Sequence, residues 1–504
     1  MTDKTTPTHH YITVLEPFSE TELDQISQLK RFFEWAQGDP DFSKSVDTGN
    51  LSPEYRARLK RIGVMFEPEE LALLWESPEL AKQYLTQCGC GCTVPATISE
   101  ESVAAVKRYP LLELWARFSS RKNTIYRDLR KQIFCVPQNP VFDAWRMRRI
   151  AAVRSELGFF GHFIDHPILA FELGDGCSVG CWFCAFAARK LTKNLDYAES
   201  ADYFRQITQT CVDLFGKDQA SMTLLYYGTE PHDNPNYLNY VKDFEAITGN
   251  TVCTSTTAGT DTKWMREMIE YYRHETHPWP RLSVLSKGMM YKIHESYSPQ
   301  ELRDVELLMQ MRENPRKKVT GGRILEEDAG MRDRADGNYL EEVVPQGSIA
   351  CVSGFLINLV NRTIQVISPC YTSKRWAYGY RIFDETTFSD ASDFRRAIQY
   401  LMDRNMPASP LPNDRARFRD DLVYHATAEG FDLVSPNQIH HFTGKEVYAP
   451  LGKLIAEGTH SFSDLYDLML EQHGVNPMLA VAVTQTLFDG GYLDELRFAP
   501  ASAQ

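Results

Sequence analysis

The residues with the most chemical potential lie in the stretch GDGCSVGCWFC, where Cys177, Cys181 and Cys184 fall within eight positions. Thiolates hold zinc ions and iron–sulfur clusters, and a structural zinc or a [4Fe–4S] cube ordinarily takes four protein ligands. Structural zinc is usually gripped by two C-x-x-C pairs far apart in sequence. Here the spacing is C-x3-C-x2-C on one short stretch. Three thiols so placed can wrap one corner of a cube, hold three irons and leave the fourth open to a ligand. A zinc site and chance clustering are the competing readings, because the chain contains 11 cysteines.

The other cysteines sort by surroundings. Cys370, the last in the chain, sits in VISPCYTSKRWAYGY, whose Tyr, Trp, Lys and Arg suit a peptide-contacting surface. Its bland reading is a small buried hydrophobe. Cys88, Cys90 and Cys92 form an alternating CGCGC run. That run reads best as an inert loop with permissive glycines, with a second cluster or adventitious zinc as alternatives and Cys135 as a candidate fourth ligand. Cys135, Cys211, Cys253 and Cys351 lie in apolar contexts and read as core residues.

The elements that must position these groups are spread over 504 residues, enough for two to four domains. Hydrophobic content of 43% and charged content of 24% are those of a globular protein. A net charge of −13 without a long basic run disfavours a nucleic-acid surface. No apolar run is long enough for a membrane span, and the start MTDKTTPTHHYITV lacks a secretory pattern, so a cytoplasmic location is expected.

From Ser19 to about residue 160 the pattern is helical: Ser19 and Glu22 have capping-box spacing, and Leu23, Ile26, Leu29, Phe33 and Ala36 follow helical periodicity. A second helical run, EPEELALLWESPELAKQYL, has a break point at Pro78. From about residue 166 short apolar runs alternate with longer amphipathic ones: PILAFEL, ADYFRQITQTCVDLFG, SMTLLYY, YLNYVKDFEAITG, NTVCTST, TKWMREMIEYYRHE, RLSVLS and SPQELRDVELLMQM. Such alternation predicts an α/β architecture with parallel strands, as an open sheet or a barrel. Two β-rich runs around Asn361 and Arg362 predict a hairpin. Near the C-terminus FDLVSPNQI reads as a strand, three short helices follow with Asn476-Pro477 as a start signal, and YLDEL reads as a last strand. The expected organisation is an N-terminal helical accessory domain over 1–164, an α/β barrel with a closing hairpin over 165–384, a helical linker over 385–429 and a winged-helix-like module over 430–504.

The three-cysteine stretch after a predicted strand resembles the radical SAM enzymes, and the resemblance covers about residues 165–370. It implies a partial (β/α)6 barrel. It also implies a [4Fe–4S] cluster held by Cys177, Cys181 and Cys184, with S-adenosylmethionine (SAM) chelated at the open iron. Phe183 corresponds to the aromatic residue beside the adenine. Gly228-Thr229-Glu230-Pro231 stands where the family has a Gly-Gly-Glu turn that binds the SAM amino group, and departs from it at Thr229. Ser255, Thr257 and Ser283, at later strand ends, are candidate ribose contacts, with helix-capping turn residues as the plain alternative.

The runs ELGDGCSVGCWFCAFAA, YYGTEP and GFLINLVNRTIQVISPCYTS further resemble the radical SAM peptide epimerases of the proteusin type. That resemblance implies conversion of L-residues to D-residues in a ribosomally made precursor peptide. A 5′-deoxyadenosyl radical removes an α-hydrogen, and a thiol at the position of Cys370 returns a hydrogen atom to the opposite face. Cys351 and Cys370 are placed like the opening of the cysteine-rich SPASM module, but no cysteine follows to complete it. The implied partners are the precursor peptide, its leader bound by the C-terminal module as an added strand, and an electron donor such as flavodoxin or ferredoxin. The alternative is a radical SAM maturase that forms thioether or carbon–carbon crosslinks with an auxiliary cluster at CGCGC.

Overall fold

The computed structural model describes residues 12–89, 99–133, 138–273, 280–314, 321–324 and 347–497. Cys90, Cys92 and Cys135 lie outside the described residues, as does the side chain of Cys88 at the end of the helix Pro78–Gly89. The architecture is mixed α/β. The strands are β1 (Leu169–Glu172), β2 (Gly174–Asp175), β3 (Lys193–Asn194), β4 (Thr223–Leu224), β5 (Ser255–Thr256), β6 (Arg281–Val284), β7 (Glu306–Met309), β8 (Gly354–Asn358), β9 (Thr363–Pro369), β10 (Tyr380–Thr387), β11 (Val423–Thr427), β12 (Gly430–Val434) and β13 (Ile439–Phe442). They form separate sheets, and among the described residues none closes into a barrel. Among the described residues no helix is long and apolar enough to cross a membrane.

The chain divides into two compact units, one made of Met1–Cys135 and Leu224–Lys317, the other of Val136–Thr223 and Lys318–Gln504. In the first, the helix Glu20–Gly38 starts with the expected capping box, Ser19 and Glu22 each receiving the other's backbone N–H. Leu23, Ile26 and Leu29 are buried as expected, but the stripe then runs through Phe32 and Trp35, leaving Phe33 and Ala36 half-buried. The helix is enclosed on a second side too, so its buried charges need partners. Arg31 Nη2 donates to Tyr297 O at 2.8 Å, and Glu34 meets His294 Nε2 at 3.1 Å. The second helical run breaks at Pro78. Strands β5, β6 and β7 pair in parallel. Strand β7 lies inside SPQELRDVELLMQM, expected as a long amphipathic helix. Only one helical turn, Pro299–Leu302, forms there. Val305, Leu307, Met309 and Met311 are all buried, an alternation with the period of a strand.

In the second unit the sheet order is β10-β9-β8-β1-β4, with β1 and β8 parallel and β8-β9-β10 antiparallel. The predicted hairpin is β8–β9, and Arg362 at its turn has φ +55°. Gly354 lets β8 close on β1, since a Cβ there would stand 2.0 Å from Ile168 O. The stretch expected as a linker holds the helix Ala391–Asn405 and then β11. Strands β11, β12 and β13 form an antiparallel sheet followed by the helices Tyr448–Glu457, Phe462–His473 and Pro477–Asp489, around one apolar core running from Ala416 to Leu493. Asn476 caps the last helix through Met478 N, as predicted. Within FDLVSPNQI, residues 431–434 belong to β12, the middle strand, and Ile439 opens the edge strand β13. YLDEL makes an isolated bridge at Leu493 to Phe418, not a strand.

Candidate functional site

The three cysteines lie on a loop closed at its base by the β2–β3 pair. Gly176, at φ +98°, is needed where the loop's two arms meet, because a Cβ there would lie 2.6 Å from Lys190 O. Cys177 N donates to Arg189 O at 2.9 Å, and Leu191 N returns to Cys177 O at 3.3 Å. A tight turn joins the other two thiols, Cys184 N donating to Cys181 O at 3.2 Å. Arg323 spans this turn: its backbone N donates to Cys184 O and its Nη1 to Cys181 O, both at 3.1 Å, and Nη2 bonds Ala188 O. Gly322, at φ +50°, lies so close beneath that a Cβ would be 2.5 Å from Cys184 O. All three cysteines are half-buried and none is in a disulfide. The Phe183 ring packs edge-on against Trp182 at 5.5 Å.

Among the described residues, no three His, Cys, Asp or Glu side chains are drawn together as around a metal ion. The donor set nevertheless fits an iron–sulfur cluster in kind: three soft thiols on one short backbone stretch whose carbonyls are held by Arg323.

Cys370 follows β9 in the same unit and is fully buried. Its N–H donates to Gly379 O at 2.9 Å. Burial pushes its thiol well above the ordinary value, against a smaller downward pull from Arg381, so it stays S–H. Two contacts bring its loop beside the three-cysteine loop. A Cβ on Gly321 would lie 3.2 Å from both Ala185 Cβ and Thr372 Oγ1. The rings of Phe186 and Tyr380 are 6.1 Å apart. Next to Cys370, Tyr371 N donates to Glu156 Oε1 at 2.9 Å, and Glu156 pairs with Arg381 at 2.5 Å, both buried.

The remaining candidates lie in the other unit. Glu230 is buried and its carboxylate accepts four hydrogen bonds: from Thr256 Oγ1, from Thr257 N and Oγ1 at 3.0 Å each, and from His232 N at 3.2 Å. A carboxylate has about four lone-pair sites. Through these bonds Glu230 ties the Gly228–Thr229 turn to the end of β5. Burial raises its pKa, and the bonds from Thr256, His232 and Thr257 pull the other way. Ser255 and Arg281 are register partners across β5–β6, so Ser255, Thr257, Arg281 and Ser283 share one half-buried face. Cys253 bridges Leu224, and Cys211 is buried in the helix Tyr197–Phe215.

Sequence reasoning missed Arg323, Glu156 and Arg381. The Gly321-Gly322 pair was a readable sign of close backbone approach. Glu156 carried no signal, sitting in the helix Pro140–Leu157 among other charged residues.

Fold and site define a two-unit mixed α/β protein with a three-cysteine loop, a nearby buried thiol and a C-terminal strand–helix module. Residues 416–491 match the family described as protein y4wI C-terminal domain, the same stretch that shares the module's core. The chain is 32% identical over 475 residues to a Sinorhizobium fredii protein described as "Uncharacterized protein y4wI", covering 93% of this chain and 87% of that one. The chain belongs to the y4wI family. It matches no solved structure.

Proposed function

We propose that this chain is a cytoplasmic radical SAM epimerase that converts L-residues to D-residues in a ribosomally made precursor peptide, on a partial (β/α)6 barrel. The observation that carries the reading is the neighbourhood, within one unit, of a three-thiol loop and a fully buried fourth thiol, Cys370. When bound, a [4Fe–4S] cluster with SAM supplies a 5′-deoxyadenosyl radical.

Cys177, Cys181 and Cys184 hold the cluster, and Arg323 fixes the turn between the last two. Phe183, Gly228, Thr229, Glu230, Ser255, Thr257 and Ser283 are the proposed SAM contacts. Glu230 also holds the Gly228–Thr229 turn in place. Loss of the peptide α-hydrogen leaves a planar carbon radical. Cys370 S–H gives that carbon a hydrogen atom from the opposite face, and its sulfur is then restored by one electron from a flavodoxin- or ferredoxin-type donor and one proton from solvent. Burial supports this role, because only the protonated thiol carries the hydrogen to give. The module binds the leader as an added strand at an open edge of its sheet; the exposed residues Val423 on β11 and Ile439 on β13 mark the two edges.

The test is reaction with a proteusin-type precursor peptide in D2O, where thiol hydrogens exchange. One deuterium is expected at the α-carbon of each inverted residue, and Cys370→Ala is expected to keep SAM cleavage while losing D-residues. Inversion without deuterium refutes the thiol mechanism. Iron content separates the crosslinking alternative: about four irons per chain fit one cluster, about eight fit two.

A further inference from the structure

We propose that Asn437, Glu156 and Arg381 are positioning residues for Cys370, so that the C-terminal module is built into the Cys370 site and is not a detachable tether; this rests on the reading of Cys370 as hydrogen-atom donor. The path is continuous and lies within one unit. The turn between β12 and β13 sits on the end of the helix Pro140–Leu157. Ser435 Oγ donates to Ser155 O at 2.8 Å, and Asn437 Nδ2 to Glu156 O at 2.9 Å. Asn437 Nδ2 also bonds Tyr371 OH. The packing is close enough that Gly158, at φ +55°, has no room for a side chain: a Cβ would lie 2.5 Å from Asn437 Cβ.

The second strand of the path runs through charge. Glu156 receives Tyr371 N, the amide that follows Cys370. Arg381, paired with Ser368 across β9–β10, reaches Glu156 and also Asp420 at 3.0 Å and Asp421 at 3.1 Å. Asp421 is held in turn by Arg419, whose N–H donates to Tyr492 O within the module at 3.0 Å. The charged groups facing the thiol are therefore Arg381, Glu156, Asp420 and Asp421, with Tyr380 beside them. A buried thiol is aimed by its backbone. That backbone leaves the sheet at Pro369, is held by the Cys370 N–H bond to Gly379 O, and is then fixed at Tyr371 by Glu156 and, through the Tyr371 hydroxyl, by Asn437. Strand β13 begins two residues after Asn437, so whatever pairs with its edge acts on the same turn.

The test is site-resolved iodoacetamide labelling of the full chain, read by peptide mass spectrometry at Cys370 and at Cys211, which is 1% exposed and serves as the control for general loosening. Asn437→Ala is expected to raise the Cys370 rate about tenfold, the size of losing one or two net hydrogen bonds from a local opening. The midpoint of its pH profile is expected to fall toward that of an ordinary thiol, while Cys211 stays protected. Tyr371→Phe removes only the hydroxyl and is expected to raise the Cys370 rate alone by a smaller factor. A Cys370 rate within about twofold of wild type in both variants overturns the proposal. So does Cys211 labelling in step with Cys370 in Tyr371→Phe. The labelling needs no turnover. Epimerisation surviving in Cys370→Ala would instead sink the donor reading and leave the labelling result standing.

Discussion

Replacing Arg381 by Met isolates the cost of the buried charge beside Cys370. Arg381 is 5% exposed and Glu156 is 2% exposed. Met fills similar volume but leaves the Glu156 carboxylate with Tyr371 N as its remaining donor among the bonds described above. Asp421 keeps its two bonds to Arg419, at 2.8 and 2.9 Å, and Asp420 is exposed enough to hydrate, so the penalty falls on Glu156. Breaking a buried pair from one side costs about 3–5 kcal/mol, which is about two to four orders of magnitude in a local opening equilibrium. The sign with pH follows from Glu156, whose pKa burial already raises. A raised carboxyl contributes stability that is present below its unfolded pKa and is lost as pH rises through the folded value. Loss of Arg381 raises it further, so the Arg381→Met defect should grow as pH rises and shrink as the carboxyl becomes protonated at lower pH. Adding Glu156→Gln keeps an acceptor for Tyr371 N and removes the charge, and should restore most of the loss. Hydrogen exchange of β9 and β10, corrected for intrinsic rates, measures all three proteins. Protection in Arg381→Met within about tenfold of wild type at high pH would refute the reasoning. A double variant as open as the single one would do the same.

Two further outcomes follow from the site. Gly322→Ala puts a Cβ 2.5 Å from Cys184 O at a φ of +50°, so the turn carrying Cys181 and Cys184 must shift. Reconstituted iron is expected to fall well below the wild-type content, and full iron retention would show that this contact does not shape the loop. Glu230→Gln turns one acceptor oxygen into an amide facing protein donors, and exchange protection across 228–232 and 255–258 should drop by about tenfold or more. In the wild type this protection should decline as pH rises through the raised Glu230 pKa, and the Gln variant should be flat; an equally pH-dependent variant would remove Glu230 as the cause.

Local signals proved legible where the physics is local. The Ser19–Glu22 box, the break at Pro78, the β8–β9 hairpin and the Asn476 cap each depend on residues a few positions apart. Strand β7 was also written locally, in the alternation of Val305, Leu307 and Met309, but the charged residues of SPQELRDVELLMQM imitate a helical face. Which strand of the C-terminal sheet lies in the middle was not legible, because strand order is a property of pairing partners, not of any one segment.

By itself the sequence determined which groups are available: three thiols at loop spacing, a fourth far along the chain and a Gly-Thr-Glu turn. Tertiary structure alone decided what those groups touch. It set Cys370 and Tyr371 against Glu156, 215 positions from Tyr371 in the chain, and brought Arg381 and Asn437 to the same carboxylate and loop. It also filled the lone pairs of Glu230 with donors from the end of β5. The reason is that a buried charge or carboxylate must find partners wherever the packed chain delivers them, and that delivery depends on the whole fold.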